Sequence, residues 1–263
     1  MTLRVAVGQA EPAVADIATN VGLAADLTAR AGAQGARLLV LPEAFLTGYH
    51  PDAFDAVVAG GSPTHRDLDG PLLAPLREAC ADSGCTVLVS TPLVTDDGRL
   101  RLAMVRVDPE GRGAAVYAKQ HVDRSERAWF SPGDPAPVVL AIQGVRVGLA
   151  ICYDTRFPEH AAAAARAGAE VYAVSAAYLE GSTRGREVSL PARALDHGMY
   201  VVAAAALGPT GTVGATGGSC VLDPEGRELA TLGAEPGIAV AEVDLDALAE
   251  VRSRQTMHAD RML

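Results

Sequence analysis

Short apolar runs of strand length, alternating with segments of helical spacing, limit what this chain can fold into more than any other feature. Leu3–Gly8 reads as a first strand, and Asp16 to Ala33 carries apolar residues at helical spacing, with Gly35 marking its end. Leu38–Leu41 is an apolar run suited to a fully buried strand and is closed by Pro42. Pro71–Ala81 reads as a helix and Thr86–Ser90 as a strand. Leu102–Val107 and Ala114–Ala118 flank Asp108-Pro109-Glu110-Gly111, whose turn chemistry predicts a hairpin. Val138–Ile142 and Val145–Ile151 repeat that arrangement about Gln143-Gly144. A helix over Phe157–Ala167, a strand over Glu170–Ser175 and a helix over Glu187–Asp196, ending near Gly198, come next. Tyr200–Leu207 reads as a buried strand, Gly218–Leu222 and Arg227–Leu232 as another hairpin, and Ile238–Val243 as a last strand. Hairpins mixed with crossover helices imply partly antiparallel sheets with helices outside. The pattern predicts an α/β or α+β chain and leaves its topology open.

No low-complexity linker divides the 263 residues, so a single unit over 1–263 is expected. Hydrophobic residues make up 49% of the chain but aromatic ones only 4%, which predicts a core of small aliphatic side chains. The formal charge of -10 argues against nucleic acid or an anionic membrane as partner, since both bind mainly through Lys and Arg. The start, MTLRVAVGQAEP, lacks the basic and long apolar stretches of a signal peptide. No run approaches the roughly 18 apolar residues of a membrane helix. Cys80, Cys85, Cys152 and Cys220 form no CxxC pair, so neither a disulfide framework nor a metal site is expected. A reducing cytoplasm is the expected location.

Three reactive residues stand where a strand pattern stops. Glu43 follows Leu38–Pro42, Lys119 follows Val116–Ala118, and Cys152 follows Val147–Ile151. Ligands bind at strand ends in α/β sheets, because the sheet fixes the backbone while loops shape the pocket. A thiol must lose its proton to attack, and a neighbouring base and cation supply that activation. No histidine adjoins Cys152 in sequence, so a Cys–His pair is not evident there. Glu43 can act as base if a dry pocket raises its pKa, and Lys119 can favour a thiolate and hold an oxyanion. Each residue also has an ordinary reading: a small core cysteine, a loop-capping glutamate, an exposed lysine. Position and spacing leave that choice open.

The strings around them, LPEAFLTGY about Glu43, YAKQHV about Lys119 and GLAICYDTRFPE about Cys152, resemble the nitrilase, or carbon–nitrogen hydrolase, superfamily and its amidase-type branch. LPEAFLTGY (Leu41 to Tyr49) resembles the family's glutamate motif, YAKQHV (Tyr117 to Val122) its lysine motif, and GLAICYDTRFPE (Gly148 to Glu159) its cysteine motif. FSPG, ARALDHGMYVVAAA and GGSCVLDPEG extend the resemblance over nearly the whole chain. It implies a four-layer αββα sandwich of two mixed sheets with helices on both outer faces. It also implies a Glu43–Lys119–Cys152 triad, with Glu126 hydrogen-bonded within the site to position the lysine or substrate. The oxyanion would be held by Lys119 and the backbone N–H of Tyr153. One departure is visible: Arg193-Ala194-Leu195-Asp196-His197 stands where relatives commonly read Arg-Ala-x-Glu-Asn. His197 is expected to pack near a helix end, outside the site.

The resemblance implies hydrolysis of a small-molecule amide through a cysteine thioester, releasing ammonia and a carboxylic acid, with no metal or organic cofactor. Tyr153-Asp154 stands where nitrile-cleaving relatives typically place tryptophan, which favours amides over nitriles. Arg156 could grip a substrate carboxylate, suiting ω-amides of dicarboxylic acids or N-carbamoyl amino acids, or could pair with Asp154 or Glu159. Tyr49 and Tyr178 are expected pocket walls. A non-catalytic binding scaffold is the alternative from a different class. By resemblance the chain should form at least a homodimer.

Overall fold

The computed structural model describes residues 1–61, 63–258 and 260. Two six-stranded sheets lie face to face. The first runs β14-β1-β2-β3-β4-β5, built from β1 (Thr2–Gln9), β2 (Leu38–Val40), β3 (Thr86–Val94), β4 (Leu100–Val107), β5 (Gly113–Ala118) and β14 (Gly237–Asp244). The second runs β13-β12-β9-β8-β7-β6. Its strands are β6 (Val139–Ile142), β7 (Val145–Ile151), β8 (Val171–Ala176), β9 (Tyr200–Ala205), β12 (Cys220–Leu222) and β13 (Glu228–Thr231). β10 (Leu207–Pro209) and β11 (Gly214–Thr216) form a small separate ladder.

Period-two alternation decides which face each strand turns inward. Leu38 and Val40 point between the sheets, with Leu3, Val5 and Val7 beside them. Leu149, Ile151, Tyr200 and Val202 face them from the second sheet. The intervening residues Leu39 and Leu41 point the other way, under α1 (Ile17–Ala33) and α3 (Ala74–Ser83), where Leu27 and Leu76 cover them. On the opposite outer face, Ala150, Val174 and Val201 pack under α4 (Pro158–Arg166) and α5 (Thr183–His197). Strands buried on both faces must read as unbroken apolar runs, which is why Leu38–Leu41 carries no polar residue. The result is the αββα sandwich.

Two remaining helices, α2 (Pro51–Ala56) and α6 (Leu245–Arg254), lie outside the sequence reading. α6 carries four charged residues among its ten and buries only Leu248. Asp244 caps it by accepting from the Asp246 N–H at 2.9 Å. The expected strand Tyr200–Leu207 divides after Ala205. There Ala206 donates to Ala176 O and Leu207 to Ala10 O, so the chain leaves the second sheet while still apolar. α5 starts four residues before the expected Glu187, through Thr183-Arg184-Gly185-Arg186, a turn without apolar spacing.

Strand direction places the site. β2 and β3 are parallel, β3 and β4 antiparallel, and β4 and β5 antiparallel, so β2 and β5 run the same way. Their C-terminal ends, and hence Glu43 and Lys119, emerge at one edge of the first sheet. β7 and β8 are parallel, and the Glu43 N–H donates to Ala176 O at the end of β8 (3.2 Å). That bond joins the same edge of both sheets, and Cys152 at the end of β7 lies there too.

Candidate active site

Pro42 has no N–H to continue the β2 ladder, so the chain turns where the apolar run ends. Beyond the Glu43–Ala176 bond, the Ala44 N–H donates to Ser90 Oγ at 3.2 Å. Ala44 adopts φ 49°, a left-handed conformation costly for a residue with a Cβ. These bonds hold Glu43 fully buried. Lys119 continues β5, its N–H donating to Leu102 O and its carbonyl accepting from Gly133 N, both at 2.8 Å. Its side chain is buried as completely as that of a core leucine.

The Lys119 ammonium donates to Glu43 Oε1 and to both carboxylate oxygens of Glu126, each at 2.7 Å. Glu126 is itself fixed: Tyr49 OH donates to its Oε1 at 2.7 Å and the Asp123 N–H to its Oε2 at 3.0 Å. Cys152 opens a 3-10 helix, Cys152–Arg156, with φ 42°. Its Sγ lies 3.7 Å from Ala177 O. The Tyr153 N–H falls in the first turn of that helix, where backbone donors have no partner within the helix.

Burial raises the Glu43 carboxyl to about 7, Lys119 pulls it part of the way back, and the Glu126 charge adds to the rise. Burial also lowers the Lys119 pKa, but the negative charge of Glu43, with Cys152 and Glu126, outweighs that loss and keeps the ammonium charged. Burial and the Glu43 charge push the Cys152 thiol well above its ordinary value, against the pull of Lys119. Lys119 pulls the sulfur toward the thiolate, while burial and the Glu43 charge pull it the other way. The attraction of Lys119 is present but loses to desolvation, so the sulfur rests as a thiol and needs a base at the moment of attack. Glu43 Oε2 is buried with no hydrogen-bond partner among the described residues, which leaves one face of that carboxyl uncommitted.

A cavity of about 480 Å³ opens onto Cys152, Lys119 and Glu126 and is walled by Tyr49, Tyr178 and Arg156. Glu43 does not reach its surface. Among the described residues no group of three or more His, Cys, Asp or Glu side chains could hold a metal ion. No helix of the described residues is long and apolar enough to cross a membrane.

A model of the family described as carbon–nitrogen hydrolase matches residues 4–253. The chain belongs to the carbon–nitrogen hydrolase family. An (R)-stereoselective amidase of a Pseudomonas species is 38% identical over 228 residues, covering 86% of this chain and 80% of that protein. A deaminated glutathione amidase of Escherichia coli O157:H7 is 32% identical over 243 residues, covering 89% of this chain and 88% of that protein. Among solved structures, the Nesterenkonia AN1 amidase of the nitrilase superfamily has a TM-score of 0.82 at 33% identity, covering 97% of this chain and 96% of that one. A variant of that amidase carries the acetamide moiety of fluoroacetamide, added covalently at its active-site cysteine. The present chain is therefore a nitrilase-superfamily hydrolase of carbon–nitrogen bonds other than peptide bonds.

Around this carbon–nitrogen hydrolase site the expected pocket residues take distinct places. Tyr49 is a wall and also the hydrogen-bond donor that fixes Glu126. Tyr178 is buried beneath Arg186, whose guanidinium carbon lies 5.7 Å from the ring centroid. Arg156 is exposed at the mouth and forms no ion pair with Asp154, Glu159 or any other described residue. Its Nη1 lies where a Cβ on Gly185 would be, 1.6 Å away, so the bare backbone of α5 makes room for it. His197 ends α5, buried and outside the cavity. Cys80, Cys85 and Cys220 are buried, and burial pushes each thiol up to about 12, so they are chemically quiet.

Tyr117, His121 and His160, which the sequence does not single out, join Asp154, expected only as a neighbour of Tyr153 and a partner for Arg156, in a polar cluster behind the site. A signal was available: Tyr117 and His121 stand two residues on either side of Lys119.

Proposed function

We propose that this protein hydrolyses the amide of a small molecule through a thioester on Cys152. The observation that carries this reading is the buried ammonium of Lys119, bonded at 2.7 Å to two carboxylates beside a cysteine that opens onto a cavity. Glu43 takes the Cys152 proton as the sulfur attacks the amide carbonyl. Lys119 and the Tyr153 N–H hold the oxyanion. Glu43 returns the proton to the leaving nitrogen, releasing ammonia and leaving an acyl group on sulfur. It then takes a proton from water, which attacks the thioester, releases the carboxylic acid and restores the thiol. Glu126 keeps the ammonium in place through both halves. The covalent adduct on the related Nesterenkonia cysteine supports the same role for Cys152.

The test is a panel of primary amides incubated with the protein, with ammonia as readout, followed by intact mass of the wild type and its variants. Wild type quenched during turnover should carry an acyl mass on Cys152 that is absent from Cys152→Ala, and Glu43→Gln, which lacks the base for sulfur attack, should carry less of it. No ammonia from any amide and no adduct would sink the reading.

Arg156 supports a finer choice. An unpaired guanidinium lining the cavity suits a substrate carboxylate held by two parallel hydrogen bonds. The substrate is then an ω-amide of a dicarboxylic acid or an N-carbamoyl amino acid, the second releasing carbon dioxide as well as ammonia. Arg156→Ala should raise KM for a carboxylate-bearing amide by about tenfold to a hundredfold, with little change for a neutral amide of equal length. Equal effects on both would remove the carboxylate from the proposal. Four unpaired cysteines fit a reducing cytoplasm, and a homodimer is the proposed assembly.

A further inference from the structure

We infer that Asp154 is a positioning residue that sets Lys119 against Cys152, an inference that rests on the amidase reading above. β5 and β7 belong to different sheets, so no strand ladder fixes the lysine against the cysteine. Asp154, fully buried two residues past Cys152, spans that gap. Its Oδ1 accepts from the His121 backbone N–H at 2.9 Å and from His121 Nδ1 at 2.8 Å. Its Oδ2 accepts from Tyr117 OH at 2.6 Å and from the Ile151 N–H at 3.0 Å. Tyr117 and His121 flank Lys119 by two residues on either side. Ile151 precedes Cys152. One carboxylate therefore clasps the segment that aims the ammonium and the turn that aims the sulfur.

Proton positions along this cluster follow from charge. Burial raises the Asp154 carboxyl, but His121, His160, Tyr117 and Ile151 outweigh it and hold the group below the usual carboxylate range. An ionised carboxylate only accepts, so His121 Nδ1 and Tyr117 OH both donate to it. The Tyr117 oxygen is then free to accept from His160 Nε2 at 2.9 Å. Burial lowers the His160 pKa and keeps its ring neutral, so its Nδ1 accepts from Tyr172 OH at 2.7 Å. A single continuous set of donors and acceptors ends on Asp154.

Each Asp154 oxygen faces one backbone N–H, and a backbone donor cannot be reversed. Asparagine in either amide orientation would point its NH₂ at one of them, so Asp154→Asn breaks the clasp while keeping its volume. Tyr117→Phe removes one bond and keeps the ring in the core. With a primary amide that the wild type turns over, Asp154→Asn should lower kcat about a hundredfold and Tyr117→Phe about tenfold, with KM within about twofold. The second readout is alkylation of Cys152 by iodoacetamide, followed by mass. Tyr117→Phe should slow it when Lys119 is present and add nothing in a Lys119→Met background, because the clasp acts through that ammonium. Unchanged kcat in folded Tyr117→Phe and Asp154→Asn, or an equal loss of alkylation in both backgrounds, would overturn the inference. If Asp154→Asn does not fold or the Lys119→Met background is too unstable, the kcat against KM split of Tyr117→Phe decides. A wild type that releases no ammonia would overturn the amidase reading instead, and the alkylation rates would still decide the role of Asp154.

Discussion

Replacing Lys119 by methionine is expected to destabilise the protein by about 3–5 kcal/mol near neutral pH, because it leaves buried carboxylates without their counter-charge. Methionine keeps an apolar stem of similar length, so the change removes charge more than volume. The ammonium sits 2.7 Å from Glu43 and from both oxygens of Glu126, and all three side chains are within 2% of complete burial. Burial already raises the Glu43 carboxyl and Lys119 pulls it back, so without the cation that carboxyl holds a proton still more tightly in the folded chain than in the unfolded one. Such groups cost nothing at a pH where both states are protonated, and the cost grows as pH rises through the ordinary carboxylate range. The deficit against wild type should therefore be small near about pH 4 and largest near about pH 8. Urea unfolding at both pH values measures it. Equal midpoints at the higher pH would show that Lys119 does not neutralise the site. Turnover should fall by at least about a hundredfold to a thousandfold, the usual loss when one oxyanion donor is removed.

Glu43→Gln should lower kcat by about a hundredfold to ten-thousandfold, the span of a lost proton-transfer group. Glutamine is nearly isosteric and retains an oxygen for the Lys119 ammonium, so binding should change far less than turnover. The pH profile is the sharper readout. Burial lifts the Glu43 carboxyl to about 7. A base must be ionised to act, so wild-type kcat/KM should rise with pH and level off above that value. In the variant the remaining slow reaction should lose this acid limb. If the limb persists unchanged, another group is the base and Glu43 serves the site in some other way.

Much of this site was legible before any coordinates. Leu38–Leu41 and Val145–Ile151 mark buried strands by composition, and the polar or reactive residue that ends each run stands out against it. The same logic placed Lys119 after Ala118. Glu126 was different: as a loop glutamate it has nothing local to distinguish it, and only resemblance to the family singled it out. Its grip on Lys119 and its tie to Tyr49 depend on a turn held by the Asp123 and Glu126 backbone. Arg156 was legible as a cation near the nucleophile, but its lack of an ion partner and its fit against Gly185 were not. The first turn of α5 escaped because Thr183-Arg184-Gly185-Arg186 has no apolar residue, so it takes helical form through docking more than through apolar period.

The sequence by itself determined the strand and helix alphabet, the small-aliphatic core and the identity of the residues at three strand ends. Those properties are local, since a period of two or 3.6 and a helix-breaking proline act within a few residues. Tertiary structure alone decided that the three ends meet. That required two antiparallel steps between β3 and β5, a parallel β7–β8 pair, and a Glu43–Ala176 bond across the sheets. It also decided that Asp154 gathers donors from both sides of Lys119 and from Ile151. Sheet order and hydrogen-bond register are set by the packing of the whole chain, and no short string of residues carries them.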